Sequence, residues 1–221
     1  MTPERFERIR SVLDRRQPDL TVALEEVYKP HNLSAIVRTC EAAGVFEAHA
    51  VTPEGSVRTA EAIAQGAGRW VRLVTHRSLD ALFVRLRAHG FRTYAAHPGG
   101  ASVDYREVDY TVPTAVLFGE EKEGVSEAAL RRVDQRLTIP MEGMVASLNV
   151  SVAAAIVLYE ARRQREEAGL YRDGPRLEPG LYRRTMFEWA YPYFADLCRR
   201  TGTAYPELGP EGEILGELPR G

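Results

Sequence analysis

The stretch IPMEGMVASLNVS, from Ile139 to Ser151, decides the fold of this chain. It predicts a strand that ends at Ile139, a loop around Pro140 and Gly143, and then a long helix over residues 148–168. The first turns of that helix are almost entirely apolar, which is typical of a helix buried in a core or at a subunit interface. A buried helix that follows a strand is the alternation from which α/β folds are built.

Two polar side chains stand at the entrance to this helix. Ser147 and Asn149 lie where the first backbone N–H groups of a helix have no partner within the helix, so either could be its N-cap. One cap is enough for one helix. The second polar group therefore indicates that this loop has a chemical task as well as a structural one.

The rest of the chain alternates between short apolar strands and amphipathic helices. This alternation predicts an α/β fold with a mostly parallel sheet that is covered by helices on both faces, and with ligands bound beyond the carboxyl ends of the strands. The predicted strands are 21–27, 48–51, 71–74, 92–95, Thr114–Phe118 and 136–139, and the predicted helices are 4–16, one that Asn32 caps and Gly44 ends, Leu79–Ala88, 126–133, 148–168 and 181–198.

Composition narrows the class of protein. The chain has 221 residues, 44% hydrophobic and 27% charged, which is the balance of an ordinary globular protein. It shows neither a signal peptide nor an apolar stretch long enough to span a membrane, so we expect a cytoplasmic protein without membrane contact. Cys40 and Cys198 are its two cysteines, without metal-ligand spacing, which predicts buried thiols and no metal site.

Charge alone leaves the partner open, because the net charge is −2. Basic residues concentrate in residues 1–16, among them Arg5, Arg8 and Arg16, and in residues 162–165. Such clusters suit contacts with an RNA backbone, but solvated helix faces have the same composition.

A second segment, Lys29 to Cys40, combines an anchored helix with two polar side chains. Leu33, Ile36 and Val37 lie on its apolar side, so that Asn32 and Arg38 must lie elsewhere, with Arg38 free to point into a cleft. A capped helix with a surface arginine would give the same pattern.

A third segment, Leu117 to Ser126, reads as a strand, a glycine loop and a helix. The spacing of Gly119 and Gly124 imitates a phosphate-binding loop, but Val125 stands where such a loop needs lysine, and three glutamates would repel a triphosphate. The loop suits a neutral or cationic ligand, and an ordinary turn is the alternative.

Taken together, and in their order along the chain, the three segments resemble the motifs of the TrmH family of RNA ribose 2′-O-methyltransferases, within the SPOUT superfamily. The resemblance extends from about residue 5 to residue 171 and is most specific in SLNVS. The stretches that carry it are KPHNLSAIVRTCEAAGV (29–45), VDYTVPTAVLFGEEKEGVS (108–126) and IPMEGMVASLNVSVAAA (139–155).

The resemblance implies a SPOUT-type parallel sheet with a deep C-terminal trefoil knot and helical extensions at both ends. Three parts are expected: a basic N-terminal helix (1–17), the catalytic domain with the knot (18–170), and a C-terminal helical extension (171–221). It also implies methylation of a ribose 2′-hydroxyl in tRNA, most closely that of guanosine 18, with S-adenosyl-L-methionine as methyl donor, by a homodimer.

The resemblance further implies a role for particular residues. Arg38 would activate the hydroxyl, with Asn32, Glu121, Ser147 and Asn149 ordering the site. The family often has threonine where Ala96 stands, so one side-chain contact to the cofactor would be missing or replaced. The cofactor would be held at Ala96, Leu117, Gly119, Ile139 and Leu148, and the RNA at Arg5, Arg8 and Arg16.

Two other functions fit the same residues. One is the same reaction on ribosomal RNA, although family members that act there often carry an extra N-terminal RNA-binding domain. The other is a non-catalytic RNA-binding protein of this fold, against which the presence of Arg38, Glu121, Ser147 and Asn149 argues.

Overall fold

The computed structural model describes residues 1–27, 29–52, 67–99, 101–120 and 122–218. Contacts divide the chain into two compact units. One is Gln17–Leu170, called here the sheet unit, and the other combines Met1–Arg16 with Tyr171–Gly221 and is called the terminal unit. Whether the predicted parts 1–17, 18–170 and 171–221 are separate domains stays a prediction.

The sheet unit is built on one parallel sheet. Within the described residues the sheet has seven strands in the order β3-β2-β1-β6-β4-β7-β5, and every neighbouring pair is parallel. The α/β prediction is therefore confirmed. The strands are β1 Leu20–Glu25, β2 Glu47–Val51, β3 Arg72–His76, β4 Arg92–Ala96, β5 Ser102–Asp104, β6 Thr114–Phe118 and β7 Gln135–Thr138.

Helices cover both faces of this sheet. On one face α2 (Pro30–Ala42) and α5 (Val150–Glu167) share a core with Val116 and Phe118 of β6. On the other face the alternate residues of β6 pack with α3 (Leu79–Ala88) and the short α4 (Glu127–Leu130). Because both faces are covered, β6 is apolar at nearly every position, and this run made it predictable to the residue.

The starts of two helices differ from the prediction. Asn32 does not cap α2: the helix begins at Pro30 with Lys29 at the N-cap, and Asn32 is buried in its first turn. The long helix α5 begins at Val150 rather than at residue 148, and Asn149 is its N-cap, accepting from the backbone N–H of Ser151. Gly44 ends α2 with a φ of +81°, as predicted.

A buried arginine fixes the far end of α5. Arg165 is completely buried, and its Nε donates to the carbonyl of Tyr110 at 2.7 Å. Its Nη1 donates to Gln17 Oε1 at 2.9 Å and to Asp19 Oδ1 at 2.6 Å. Its Nη2 donates to the carbonyls of Asp19 and Val112, both at 3.0 Å. One guanidinium thus joins α5 to the segments that precede β1 and β6.

The terminal unit consists of helices and a small hairpin. Helix α1 (Pro3–Leu13) packs against α6 (Pro179–Ala190), and α6 against α7 (Pro192–Thr201). The single helix predicted over 181–198 is wrong, because Pro192 has no N–H for a helical bond and starts a new helix instead. The hairpin joins β8 (Glu207–Leu208) to β9 (Ile214–Leu215).

Among the described helices of both units, not one has the length and apolar character that crossing a membrane requires.

Candidate active site

A cavity of about 400 Å³ lies beyond the carboxyl ends of three neighbouring strands. Ala96 of β4, Phe118 of β6 and Thr138 of β7 each line it. The start of α5 closes it, so the IPMEGMVASLNVS loop forms one wall. This position is where ligands bind in open parallel sheets, and the volume lies within the range of about 300–1,000 Å³ usual for small-molecule sites.

The glycine loop after β6 makes a turn that tolerates no other residue at its first position. A Cβ on Gly119 would lie 1.9 Å from the carbonyl oxygen of Gly124. Gly124 itself has a φ of +70°, and its N–H donates to the carbonyl of Glu120 at 2.8 Å. The spacing that imitates a phosphate-binding loop is therefore explained by a tight turn.

A buried carboxylate holds the end of this loop. Glu25, the last residue of β1, accepts from the backbone N–H of Ser126 at 2.9 Å and from its hydroxyl at 2.6 Å. The Ser126 oxygen in turn accepts from the N–H of Ala129 and caps α4. Sequence analysis missed Glu25, because its partner lies 101 residues away along the chain.

The cavity has an apolar floor and a charged rim. Leu137, Ile139 and Leu148 are among the apolar lining residues, together with Val150 and Ala153. An apolar surface of this kind suits a planar base, while rim carboxylates suit a cationic group. The polar lining residues are His97, Glu120, Lys122, Glu123, Thr138 and Ser147.

One hydrogen bond joins the segment Lys29–Cys40 to the segment Ile139–Ser151. Asn149 Nδ2 donates to Asn32 Oδ1 at 3.1 Å, although 117 residues separate the two. Asn149 Oδ1 accepts from the N–H of Ser151 at 2.9 Å and from its hydroxyl at 2.6 Å. Asn32 keeps only 1% of its accessible surface, so it positions Asn149 and the start of α5 rather than facing solvent.

Arg38 is exposed on α2 and, among the described residues, makes no hydrogen bond or ion pair and does not line the cavity. Six residues separate it from Asn32, which is about 9 Å along a helix axis. Its guanidinium is thus available to a ligand from outside the chain, whereas its predicted place in the catalytic site stays a prediction. Glu121 lies outside the described residues.

Four of the five predicted cofactor residues line the cavity, namely Ala96, Gly119, Ile139 and Leu148, and Ser147 lines it with them. Leu117 does not. It lies one residue inside β6, is completely buried against the other face of the sheet, and its neighbour Phe118 reaches the cavity instead.

The predicted RNA-contacting arginines fall into two groups. Arg5 and Arg8 are exposed on α1 of the terminal unit. The prediction that Arg16 contacts RNA is wrong. Arg16 retains 1% of its accessible surface, and its guanidinium lies 5.3 Å from the ring centre of Trp189. This cation–π contact gives Arg16 a structural role and leaves it no surface for RNA.

Two further residues that line the cavity, His97 and Lys122, were not predicted as site residues, and Glu120 and Glu123 were considered only as part of the glycine loop. A signal for His97 was present, because it directly follows the carboxyl end of β4. Its backbone is held from both sides: the N–H donates to the carbonyl of Leu137 at 3.0 Å, and the carbonyl accepts from the Ser102 hydroxyl at 2.8 Å. Within the described part of the chain, no cluster of three or more His, Cys, Asp or Glu side chains could hold a metal ion.

Comparison with known proteins agrees with this geometry. The model of the SpoU rRNA Methylase family matches residues 19–159, and that of the SpoU rRNA methylase C-terminal region matches residues 163–217. The tRNA (guanosine(18)-2′-O)-methyltransferase of Escherichia coli (strain K12) is 48% identical over 215 residues, which cover 97% of this chain and 94% of that protein.

Two solved structures are similar in fold as well as in sequence. The TrmH/SpoU tRNA modifying enzyme of A. aeolicus superposes with a TM-score of 0.78 at 42% identity, over 86% of this chain and 96% of that one. The AdoMet-bound rRNA methyltransferase of Sinorhizobium meliloti superposes with a TM-score of 0.57 at 33% identity, over 67% of this chain and 61% of that one. This chain therefore belongs to the SpoU rRNA methylase family, the TrmH-type methyltransferases that its three motifs predicted.

Proposed function

We propose that this protein transfers a methyl group from S-adenosyl-L-methionine to a ribose 2′-hydroxyl of tRNA, at guanosine 18. The observation that carries the proposal is the cavity beyond β4, β6 and β7, whose wall is tied to α2 by the Asn32–Asn149 hydrogen bond. The name of the Escherichia coli relative, which matches nearly the full length of this chain, supports the choice of tRNA and of guanosine 18. A role in tRNA modification also supports the cytoplasm as its location.

The residues of the cavity fit S-adenosyl-L-methionine. Its volume of about 400 Å³ suits a small molecule, and its apolar floor suits the adenine base. The carboxylates of Glu120 and Glu123 suit the cationic amino and sulfonium groups. When bound, the cofactor supplies a methyl group on a cationic sulfur, which is open to attack by an oxygen nucleophile.

The residues of the site then have two tasks, alignment and proton removal. Backbone and side chains at Ala96, Gly119, Ile139 and Leu148 hold the cofactor, and Ser147 and Asn149 order the loop around it. A 2′-hydroxyl that attacked this methyl group would have to lose its proton, so the site must also provide a route for the proton.

Arg38 carries the catalytic role in this proposal. A guanidinium has a pKa above about 12 and does not serve as a base near neutrality. Arg38 instead binds the phosphate next to the ribose and lowers the pKa of the hydroxyl electrostatically, and the phosphate or a water molecule accepts the proton. Its exposure and its lack of a partner among the described residues support this role. Glu121 is proposed to order the glycine loop.

We also propose the trefoil knot and the homodimer. The strand order supports the knot. Strand β6 lies between β1 and β4, and β7 lies between β4 and β5, so the chain twice enters the sheet between two strands that precede it in the sequence. Exposed apolar side chains support the dimer: Met144 and Val145 lie in the loop of the cavity, and Val152 and Tyr159 lie on α5. Arg38 does not line the cavity of its own chain, and in a dimer it could act at the cavity of the partner subunit.

The direct test is to incubate the protein with bulk tRNA and methyl-labelled cofactor and then to map the labelled riboses. Label at guanosine 18 is expected, and a transcript with 2′-deoxyguanosine at that position should take up none. Calorimetric titration with S-adenosyl-L-methionine completes the test. Label in ribosomal RNA alone would favour the alternative substrate, and failure to bind the cofactor would favour a non-catalytic RNA-binding protein.

A further inference from the structure

The terminal unit contains a second and larger cavity, an open groove of about 1030 Å³. It is lined by α1, α6, α7 and the segment 202–210, and it belongs entirely to this unit. The proposed methyl transfer makes no use of it. Its size exceeds what a single phosphate or sulfate ion would fill, so an occupant of nucleotide size or larger fits it better.

The groove carries guanidinium groups of two kinds. Arg10 is paired with Glu7, and Arg199 lies 3.6 Å from Glu188. Arg183 and Arg184, next to each other on α6, are different: both are exposed, and neither forms a hydrogen bond or an ion pair with another residue that the structure describes.

The carboxylates of Glu178 and Glu188, near Arg183 and Arg184, accept hydrogen bonds from other groups. Glu178 accepts from the backbone N–H groups of Gly180 at 2.8 Å and Leu181 at 2.9 Å. These two hydrogen bonds lower the pKa of Glu178, and the positive charges of Arg183 and Arg184 lower it further. Glu207 is the remaining acidic lining residue of the described groove besides Glu188. The groove thus keeps an excess of positive charge on the α6 side.

The floor of the groove is apolar and partly aromatic. Phe6, Met186 and Cys198 line it and are buried. Tyr205 also lines it, with its ring stacked on Phe187 at a centroid distance of 4.9 Å and its hydroxyl donating to Glu188 at 2.9 Å. Tyr205 is only partly buried, and an aromatic ring of this kind beside guanidinium groups that have no partner among the described residues is the combination that binds unstacked bases and their phosphates.

From this combination we propose that the groove of the terminal unit binds an unpaired segment of the substrate RNA, with a base against the partly exposed Tyr205 ring and phosphates at Arg183 and Arg184. The inference rests on the proposed function, since it takes RNA as the substrate. Arginine suits this role because its planar guanidinium pairs with two phosphate oxygens at once. The exposed Arg5 and Arg8 add to the positive charge of the same unit.

The test compares two double variants that remove the same charge from the same unit. R183A/R184A empties the cationic side of the groove, and R172A/R200A removes two exposed arginines that do not line it. Fluorescence anisotropy with the intact protein and labelled tRNA transcript gives Kd as a function of salt. Each phosphate contact contributes a slope of about −0.7 to −0.9 in log K against log salt, so R183A/R184A should flatten the slope by about 1.5 and weaken binding roughly tenfold at low salt.

The control should keep the wild-type slope and lose no more than about threefold in affinity through its net charge. Melting temperature and calorimetric affinity for S-adenosyl-L-methionine should be unchanged in both variants. A slope in R183A/R184A equal to that of wild type, or an equal loss in both variants, would overturn the groove as an RNA site. A wild-type protein that binds no cofactor and methylates no RNA would instead overturn the proposed function, so the two failures are distinguishable.

Discussion

Replacing Arg165 by methionine tests how the sheet unit is held together. The side chain is completely buried and donates five hydrogen bonds, to Gln17, Asp19, Tyr110 and Val112. A hydrogen bond contributes roughly 0.5–1.5 kcal/mol, and removing one partner of a buried ion pair costs about 3–5 kcal/mol. Methionine fills similar space but donates nothing, so Arg165→Met should lower the free energy of unfolding by about 3–5 kcal/mol.

The matched control is Arg163→Met, on the same helix. Arg163 is half-exposed and pairs with Glu160 and Glu167, and such surface pairs contribute no more than about 1 kcal/mol. Urea unfolding followed by circular dichroism measures both variants. A loss in Arg165→Met that stays within about 0.5 kcal/mol of the control would refute the assignment of Arg165 as the residue that fixes α5.

Three further perturbations test the site and its surroundings. Gly119→Ala places a Cβ against Gly124 and should abolish calorimetric binding of S-adenosyl-L-methionine; retained affinity would contradict the tight turn. Glu25→Gln keeps one acceptor for Ser126 but loses the charge, and should weaken cofactor binding several-fold while Glu25→Ala weakens it further; equal affinities would argue against a positioning role. Burial lowers the pKa of His49 to about 3, and nearby positive charges add to this effect. Below about pH 6.5 the unfolded state therefore binds a proton at His49 that the folded state does not bind. His49 alone should therefore lower the stability by about 2 kcal/mol between pH 7 and pH 5 in urea unfolding, and His49→Gln should remove that part of the fall; an unchanged pH dependence in the variant would refute the cause.

The parts of the fold that sequence predicted are those with local signals. Residues 115–118 are apolar throughout, and α3 has Ser78 as its cap and Gly90, with a φ of +72°, just beyond its end. Strand β5 was missed because Ser102–Asp104 is only three residues long and has no apolar alternation. The break at Pro192 was overlooked because the aromatic residues on either side of it continue a helical pattern.

The parts of the site that sequence could not predict depend on distant partners. Local reasoning made Asn32 a helix cap, whereas its partner is the Asn149 amide far along the chain. Arg16 looked like an RNA contact because the ring of Trp189, which covers it, comes 173 residues later. The charged rim of the cavity depends on which side chains of the glycine loop turn inward, and spacing does not determine that.

In the proposed mechanism, the exposed guanidinium of Arg38 on α2 activates a ribose hydroxyl beside the cavity of the sheet unit. Single-turnover methylation of guanosine 18 by Arg38→Ala, at saturating tRNA and cofactor, tests it most directly. We expect the rate to fall by at least about 100-fold while the calorimetric Kd for S-adenosyl-L-methionine stays within about twofold of wild type. A variant that methylates at a rate close to wild type would contradict it.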